Sequence, residues 1–273
     1  MILTPIRRYG AMILMLLTLV FSSEVLAKTH TTASQKSHLT KASNKQVSSK
    51  QEYSRNSAKS SSLPDLRKYP SGTPRKKAFL RTVMPYITSQ NAAITAERNW
   101  LISKQYQGQW SPAERARLKD IAKRYKVKWS GNTRKIPWNT LLERVDIIPT
   151  SMVATMAAAE SGWGTSKLAR NNNNLFGMKC MKGRCTNAPG KVKGYSQFSS
   201  VKESVSAYVT NLNTHPAYSS FRKSRAQLRK ADQEVTATAM IHKLKGYSTK
   251  GKSYNNYLFA MYQDNQRLIA AHM

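Results

Sequence analysis

The feature that most constrains this chain is the apolar stretch 150–160 (TSMVATMAAAE), which carries a single carboxylate at its end. Its pattern is typical of a helix with a buried face, and Thr150 is predicted to cap it. Because Met152, Met156 and Glu160 fall four residues apart, they share one face, so Glu160 is predicted on the buried side. The following SGWG predicts the helix end, since glycine tolerates the left-handed backbone common there.

An acid in this position is expected to hold its proton. Burial disfavours a charged carboxylate, and the negative end of the helix dipole opposes it too, so both raise the pKa of Glu160. A raised pKa suits a general acid that protonates a leaving-group oxygen. The alternative is a surface glutamate that precedes a helix end. Trp163 and the amides of residues 171–174 favour the catalytic interpretation, because aromatic faces and amides suit sugars.

Residues 1–27 have the pattern of a secretory signal peptide. Arg7 and Arg8 form a basic head, 11–21 is an apolar run, and Ala27 ends a set of small residues. We predict cleavage after Ala27 and export to the periplasm. The alternative is an uncleaved anchor, since the run is only somewhat shorter than the ~18–20 residues that span a bilayer. No later segment is apolar enough to span one, so no stable membrane anchor is expected.

Residues 28–74 are predicted to form a disordered basic linker. Ser, Thr, Lys and Gln dominate 28–63, which cannot bury enough apolar surface to offset the entropy of ordering. The whole chain has 45 basic and 13 acidic residues, a net charge of +32. This charge predicts an anionic partner such as an envelope polymer. Nucleic acid is not expected, because no recognition motif accompanies the charge.

The rest of the chain is predicted to be mainly helical, with an N-terminal helical subdomain over 75–148 and a second domain over 149–273. The apolar pattern of 75–106 is too long for one helix, so Pro85 and Asn91 are predicted to kink or break it.

Capping patterns mark several of these helices. Ser111 and Glu114 form a capping box before one, and Ser200 and Glu203 form another. Further helices are predicted over 138–145, 226–244 and 253–271.

Residues 167–194 are predicted to be an irregular loop, with a small β-hairpin around 191–198. The two cysteines of the chain, Cys180 and Cys185, lie in this region. In an oxidising compartment they are predicted to form a disulfide that closes a tight loop. A metal site is the rival interpretation, but no cluster of His or carboxylates accompanies the cysteines. We expect no metal and no cofactor.

The run AAAESGWGTSKLARNNNNLFGMKC resembles the signature of the glucosaminidase family of peptidoglycan hydrolases, glycoside hydrolase family 73, and is most similar to an enterobacterial member. Three further stretches fit the same family: RVDIIPTSM, YVTNLNTHPAYSSFR and LKGYSTKGKSYNNYL. The resemblance therefore covers roughly residues 75–270. It implies a lysozyme-like α+β domain, mainly α, that binds peptidoglycan glycan strands and cleaves their β-1,4 bond as an endo-acting N-acetylglucosaminidase. It implies that Glu160 is the general acid and that Tyr247 or Tyr254 lines the cleft. The predicted substrate-binding side chains are Trp163, Asn173, Asn174, Phe176, Tyr247 and Tyr254.

One departure from the usual glycosidase pattern is the missing second carboxylate. Residues 161–202 contain no Asp or Glu, and Glu203 is better explained as a capping residue. Two catalytic routes remain: the 2-acetamido group of the substrate as nucleophile, or Asp232 or Glu234 approaching from the next helix. The alternative functions are a lytic transglycosylase, which can use one glutamate, and a catalytically weak glycan-binding or scaffold protein of the cell wall.

Overall fold

The computed structural model describes a mainly helical domain, which confirms the predicted fold class. The described residues are 62–180, 185, 188–245, 247 and 251–273. The predicted signal peptide and most of the linker lie outside them. The α-helices are α1 (Thr73–Ser103), α2 (Pro112–Arg124), α3 (Trp138–Arg144), α4 (Thr150–Ser161), α5 (Lys167–Asn172), α6 (Val201–Thr214), α7 (Ser219–Lys230), α8 (Ala237–Met240) and α9 (Lys252–Ala270). Within the described part of the chain, no helix is long and apolar enough to cross a membrane.

Helix α4 lies at the centre of the core, packed against α1 and α9. Residues 152–158 are all buried, so the helix is enclosed on every side and not along one face only. Thr150 is its first residue instead of the predicted cap, and Pro149 precedes it. Helix α1 packs on both α4 and α6, so the two predicted domains, 75–148 and 149–273, share this core. The boundary between the two domains stays a prediction.

Helix α1 runs unbroken through Pro85 and Asn91, so the predicted break is wrong. Pro85 lies on the exposed face, as does Arg81, whose carbonyl the proline leaves without a helical donor but within reach of water. Asn91 is buried and its amide donates to the Ile148 carbonyl (2.8 Å) and the Thr150 hydroxyl (3.0 Å). Asn91 therefore ties α1 to the start of α4.

A buried charge cluster holds the segment that leads into α4. The Asp146 carboxylate lies 3.0 Å from Arg229, 3.6 Å from Arg98 and 3.7 Å from Arg225. Arg225 is fully buried and also donates to the Glu143 carbonyl at 2.8 Å. Burial lowers the pKa of Arg225 to about 10, so the side chain stays charged at neutral pH. The cluster joins α1 and α7 to the loop before α4.

The last part of the predicted linker, residues 62–74, is folded, which corrects the prediction there. Leu63 and Leu66 are buried in the core, and the Leu63 amide donates to Asn173 Oδ1 at 3.2 Å. A Cβ added at Gly164 would lie 2.6 Å from Leu66 Cδ1, so this segment fills the space beneath the SGWG turn. Two leucines in a polar stretch are enough to anchor it, because the turn offers them an apolar surface.

Replacing Leu66 by Ala is expected to lower the free energy of unfolding by roughly 2–5 kcal/mol, the cost of a buried Leu→Ala cavity. Ile102→Ala is the matched control, since Ile102 is 44% exposed. Urea unfolding of the two variants measures the difference. A loss at Leu66 no larger than the loss at Ile102 would show that the segment is not part of the core.

The predicted helix over 226–244 is interrupted. Helix α7 ends at Lys230, and Asp232 adopts the left-handed backbone with φ 52°. Thr236 then caps α8 by accepting from the Ala239 amide. The capping box at Ser111 is confirmed, because Ser111 accepts from the Glu114 amide and Glu114 accepts from the Ser111 amide. Ser200 caps its helix by accepting from the Glu203 amide, but Glu203 accepts from the Ser199 amide instead of the Ser200 amide, so the second box is only half formed.

The region 167–198 is more regular at its start than predicted and less regular at its end. Helix α5 was not predicted, although Ser166 caps it. Within the described residues, the hairpin is reduced to one antiparallel bridge between Lys179 and Tyr195. Cys180 and Cys185 are joined in a disulfide with a Cα–Cα distance of 5.3 Å.

Candidate active site

Three separate segments meet at the carboxylate of Glu160. Glu160 lies in the last turn of α4, and Gly162 caps the end of this helix in the left-handed conformation with φ 58°. Tyr254 of α9 donates its hydroxyl to Glu160 Oε1. A Cβ added at Gly177, where φ is 62°, would lie 3.4 Å from Glu160 Oε2. The side chain is therefore held from two sides and remains half-buried.

The environment of Glu160 favours the protonated acid. Burial raises the pKa of Glu160, and the hydrogen bond from Tyr254 partly opposes this rise because it stabilises the anion. This is the direction that a general acid needs at neutral pH.

The carboxylates that the sequence offers as a second catalytic group are Glu203, Asp232 and Glu234. Glu203 Oε2 accepts from the Ser199 amide (2.6 Å) and hydroxyl (2.7 Å), so this carboxylate serves the start of α6. Asp232 and Glu234 are exposed in the turn between α7 and α8. The described residues also contain no cluster of His, Cys, Asp and Glu that could hold a metal ion.

A row of packed aromatic rings leads away from the acid, beginning at Tyr254. Tyr247 stacks on Tyr254 at 5.6 Å and 17°, and Tyr208 meets Tyr247 edge-on at 6.4 Å. Phe176 stacks on Tyr208 at 3.9 Å and 2°. Tyr254 is thus the tyrosine that contacts Glu160, and Tyr247 supports Tyr254. Burial and the neighbouring Glu160 raise the pKa of both tyrosines, so both hydroxyls keep their protons.

The asparagines after α5 are committed to the backbone. Asn173 is buried and donates to the Phe198 carbonyl at 3.2 Å. Asn174 is buried as well; it donates to the Met178 carbonyl (2.8 Å) and accepts from the Met178 amide (3.0 Å). These bonds close the turn that carries Gly177 against the acid. The geometry favours a supporting role for both asparagines, and their contact with sugar stays a prediction.

Two other predicted sugar-binding residues pack against the protein. Trp163 has a left-handed backbone (φ 55°) and is half-buried, with its ring edge-to-face with Phe79 at 5.6 Å. The Lys76 ammonium lies 5.1 Å above the same ring. Phe176 is 3% exposed within the aromatic row. The sugar contacts of Trp163 and Phe176 also stay predictions.

Comparison with known families decides what kind of domain surrounds this acid. Residues 137–267 match the glucosaminidase family model, described as mannosyl-glycoprotein endo-beta-N-acetylglucosaminidase. These residues form a glucosaminidase domain. The matched range includes Glu160, Gly177 and Tyr254, so the site described above belongs to a glycoside hydrolase domain. The finer resemblance to an enterobacterial member stays a prediction.

A solved structure also resembles this chain. The catalytic domain of the autolysin Auto from Listeria monocytogenes shares 21% identity, over 62% of this chain and 96% of its own, with a TM-score of 0.32. A TM-score this low does not establish a common backbone arrangement, so the assignment of the glucosaminidase domain comes from the family match.

Sequence reasoning missed Gly177 as a site residue of the glucosaminidase domain. A glycine directly after the NNLF run was the available signal, because glycine adopts a left-handed backbone readily and has no Cβ to oppose a close approach. The sequence also left open whether Tyr247 or Tyr254 contacts the acid. The two lie seven positions apart, and only the folded structure shows which of them reaches Glu160.

Replacing Tyr254 by Phe is expected to shift the pH profile of the glucosaminidase domain towards alkali. The variant keeps the ring and loses the hydrogen bond that lowers the pKa of Glu160. The pKa of Glu160 should then rise, so that the acid stays protonated to higher pH and the alkaline limb of kcat/KM moves up. A limb that stays in place or moves down would contradict the assignment of this hydrogen bond.

Proposed function

We propose that the protein is an exported, endo-acting N-acetylglucosaminidase that cleaves the β-1,4 glycan bond of peptidoglycan, with Glu160 as general acid. The observation that carries the proposal is the half-buried Glu160, with its raised pKa and its bond from Tyr254, inside a glucosaminidase domain. The signal-like N-terminus and the ESGWG and NNLFGMK motifs favour a wall glycan over a glycoprotein as substrate.

The proposed reaction uses one protein carboxyl group. Glu160 donates its proton to the glycosidic oxygen as the C1–O bond breaks, and Tyr254 keeps the carboxyl oriented. The carbonyl oxygen of the substrate's 2-acetamido group attacks C1 and forms a cyclic oxazolinium ion. The Glu160 carboxylate then takes a proton from water, which adds to C1 and reopens the ring. The two inversions at C1 retain the β configuration of the product.

The surroundings of the candidate second carboxylates support this route, because Glu203 accepts from Ser199 and both Asp232 and Glu234 are exposed. Nuclear magnetic resonance of the first product formed can test it. The β anomer is expected to appear first and then mutarotate. Initial release of the α anomer would mean that a water molecule attacks directly, and an unidentified base would then be needed.

The net positive charge of the chain supports the proposal that its binding partner is anionic. With 45 basic and 13 acidic residues, the chain is attracted to the carboxylates of peptidoglycan and to other anionic polymers of the envelope. We propose that the protein works in the periplasm in association with the cell wall, and that nucleic acid is not a partner. Binding to purified sacculi should weaken as the salt concentration rises, because exposed charges are screened.

A lytic transglycosylase is the second candidate, because it too needs one acid. In that reaction the substrate's own C6 hydroxyl attacks C1 in place of water, which leaves a 1,6-anhydro end. The glucosaminidase match favours hydrolysis over this route.

Digestion of purified sacculi separates these functions. We expect soluble fragments that mass spectrometry identifies as having reducing ends. Fragments with 1,6-anhydro ends would establish the transglycosylase instead. Binding to sacculi without release of fragments at any pH would establish the catalytically weak glycan-binding protein.

A further inference from the structure

The aromatic row does not stop at the rings that support Glu160. From Tyr247 it continues to Tyr218, at 6.2 Å and 37°, and from Tyr218 to His215, at 5.8 Å and 51°. Tyr218 is half-buried and His215 is exposed. The row therefore extends from the acid to the surface, over a segment (THPAY) that has no part in holding Glu160.

This segment is held firmly in place. It forms a 3-10 turn, Pro216–Tyr218, between α6 and α7, and His215 Nδ1 accepts from the Ala217 amide at 3.2 Å. The His215 carbonyl accepts from Arg222 at 2.9 Å, and the same guanidinium donates to the Leu212 carbonyl at 3.0 Å. Rings mounted on such a turn lose little freedom when a ligand covers them.

We propose that Tyr218 and His215 form a sugar-binding subsite for the part of the glycan strand that lies beyond the bond being cut. This inference rests on the proposed function, because the strand that reaches Glu160 is the ligand that would continue along the row. The steps between rings from Tyr254 to His215 are 5.6 Å, 6.2 Å and 5.8 Å, so the row is continuous from the acid to the exposed His215.

The chemistry of the row fits a sugar chain better than a charged ligand. Burial raises the pKa of Tyr218, so its hydroxyl is neutral and can donate to or accept from a sugar hydroxyl. The ring faces can pack against the apolar faces of pyranose rings. A subsite at this distance from Glu160 gives the enzyme a preference for long strands, which an endo-acting glucosaminidase needs.

The test compares Tyr218→Ala with the wild type on glycan oligomers of increasing length. We expect KM for the longest oligomers to rise roughly three- to tenfold, from the loss of one aromatic contact. KM for the shortest cleaved oligomer, and kcat for all of them, should change little. Tyr218→Phe, which keeps the ring and loses only the hydroxyl, should raise KM for the longest oligomers less than Tyr218→Ala does. Tyr106→Ala is the matched control, because Tyr106 is 97% exposed on the loop after α1.

An equal loss on short and long oligomers, or no loss on the long ones, would overturn the subsite. If Tyr218→Ala fails to fold, His215→Ala provides the same comparison from the exposed end of the row.

Calorimetric binding of the same oligomers to the Glu160→Gln protein separates this inference from the proposed function. Length-dependent binding that Tyr218→Ala weakens supports the subsite even if no bond is cut. Binding that is independent of length overturns the subsite even if the enzyme is active.

Discussion

Replacing Glu160 by Gln is expected to lower kcat/KM on peptidoglycan roughly 100- to 10,000-fold, the range for removal of a general acid. Glutamine has nearly the same shape and can still accept the hydrogen bond from Tyr254, but it has no acidic proton to give to the leaving oxygen. Burial disfavours the charged form of Glu160, so an uncharged amide should not destabilise the fold. Release of soluble fragments from sacculi measures the activity, and thermal unfolding measures the fold.

Glu234→Gln is the matched control for this experiment. Glu234 is an exposed carboxylate that the sequence left open as a second catalytic group, and the structure places it in the turn between α7 and α8. Activity close to the wild type is expected. Full activity of Glu160→Gln, or a comparable loss in Glu234→Gln, would contradict a mechanism with Glu160 as the acid and no second protein carboxylate.

Replacing Asp146 by Asn is expected to lower the free energy of unfolding by roughly 3–5 kcal/mol, the cost of breaking a buried ion pair. Asp146 is 1% exposed and its carboxylate faces Arg98, Arg225 and Arg229, of which Arg225 is fully buried. The substitution leaves these guanidinium groups without their shared counter-charge. Because the segment after Asp146 leads into α4, the alignment of Glu160 should suffer as well.

Urea unfolding at neutral pH measures this loss. Asp120→Asn is the control, because Asp120 is 63% exposed in its pair with Arg124 and an exposed pair is worth about 0–1 kcal/mol. Similar losses in the two variants would show that the Asp146 cluster does not stabilise the fold.

Local patterns in the sequence were sufficient to predict the helices that position the acid. The apolar run before Glu160 and the glycines after it depend only on neighbours in the chain, and the structure places α4 and its end there. The same is true of the helix caps at Ser111 and Ser200. Pro85 misled the prediction because its effect depends on whether the helix face is exposed, which tertiary packing determines.

Contacts between distant segments could not be predicted in this way. Leu63 and Leu66 lie in a polar stretch that predicts disorder, yet they pack beneath a turn about 100 positions later in the chain. The ion cluster at Asp146 involves arginines from α1 and α7, and no spacing in the sequence brings these together.

In the candidate site, too, local features could be predicted from the sequence and contacts between distant segments could not. Glu160 could be predicted as a half-buried acid from local pattern, whereas the partnership with Tyr254 joins residues 94 positions apart. The amides of Asn173 and Asn174 were predicted to bind sugar, which stays a prediction, and their backbone partners emerge only from the folded loop.

The identity of the sugar at each newly formed chain end tests the central claim most directly. Sacculi are digested with the wild type and with Glu160→Gln, the new ends are reduced with borohydride, and the reduced sugars are identified by mass spectrometry. Reduced N-acetylglucosamine is expected from the wild type and almost none from the variant. Reduced N-acetylmuramic acid as the main product, or equal amounts of reduced N-acetylglucosamine from both proteins, would contradict the claim.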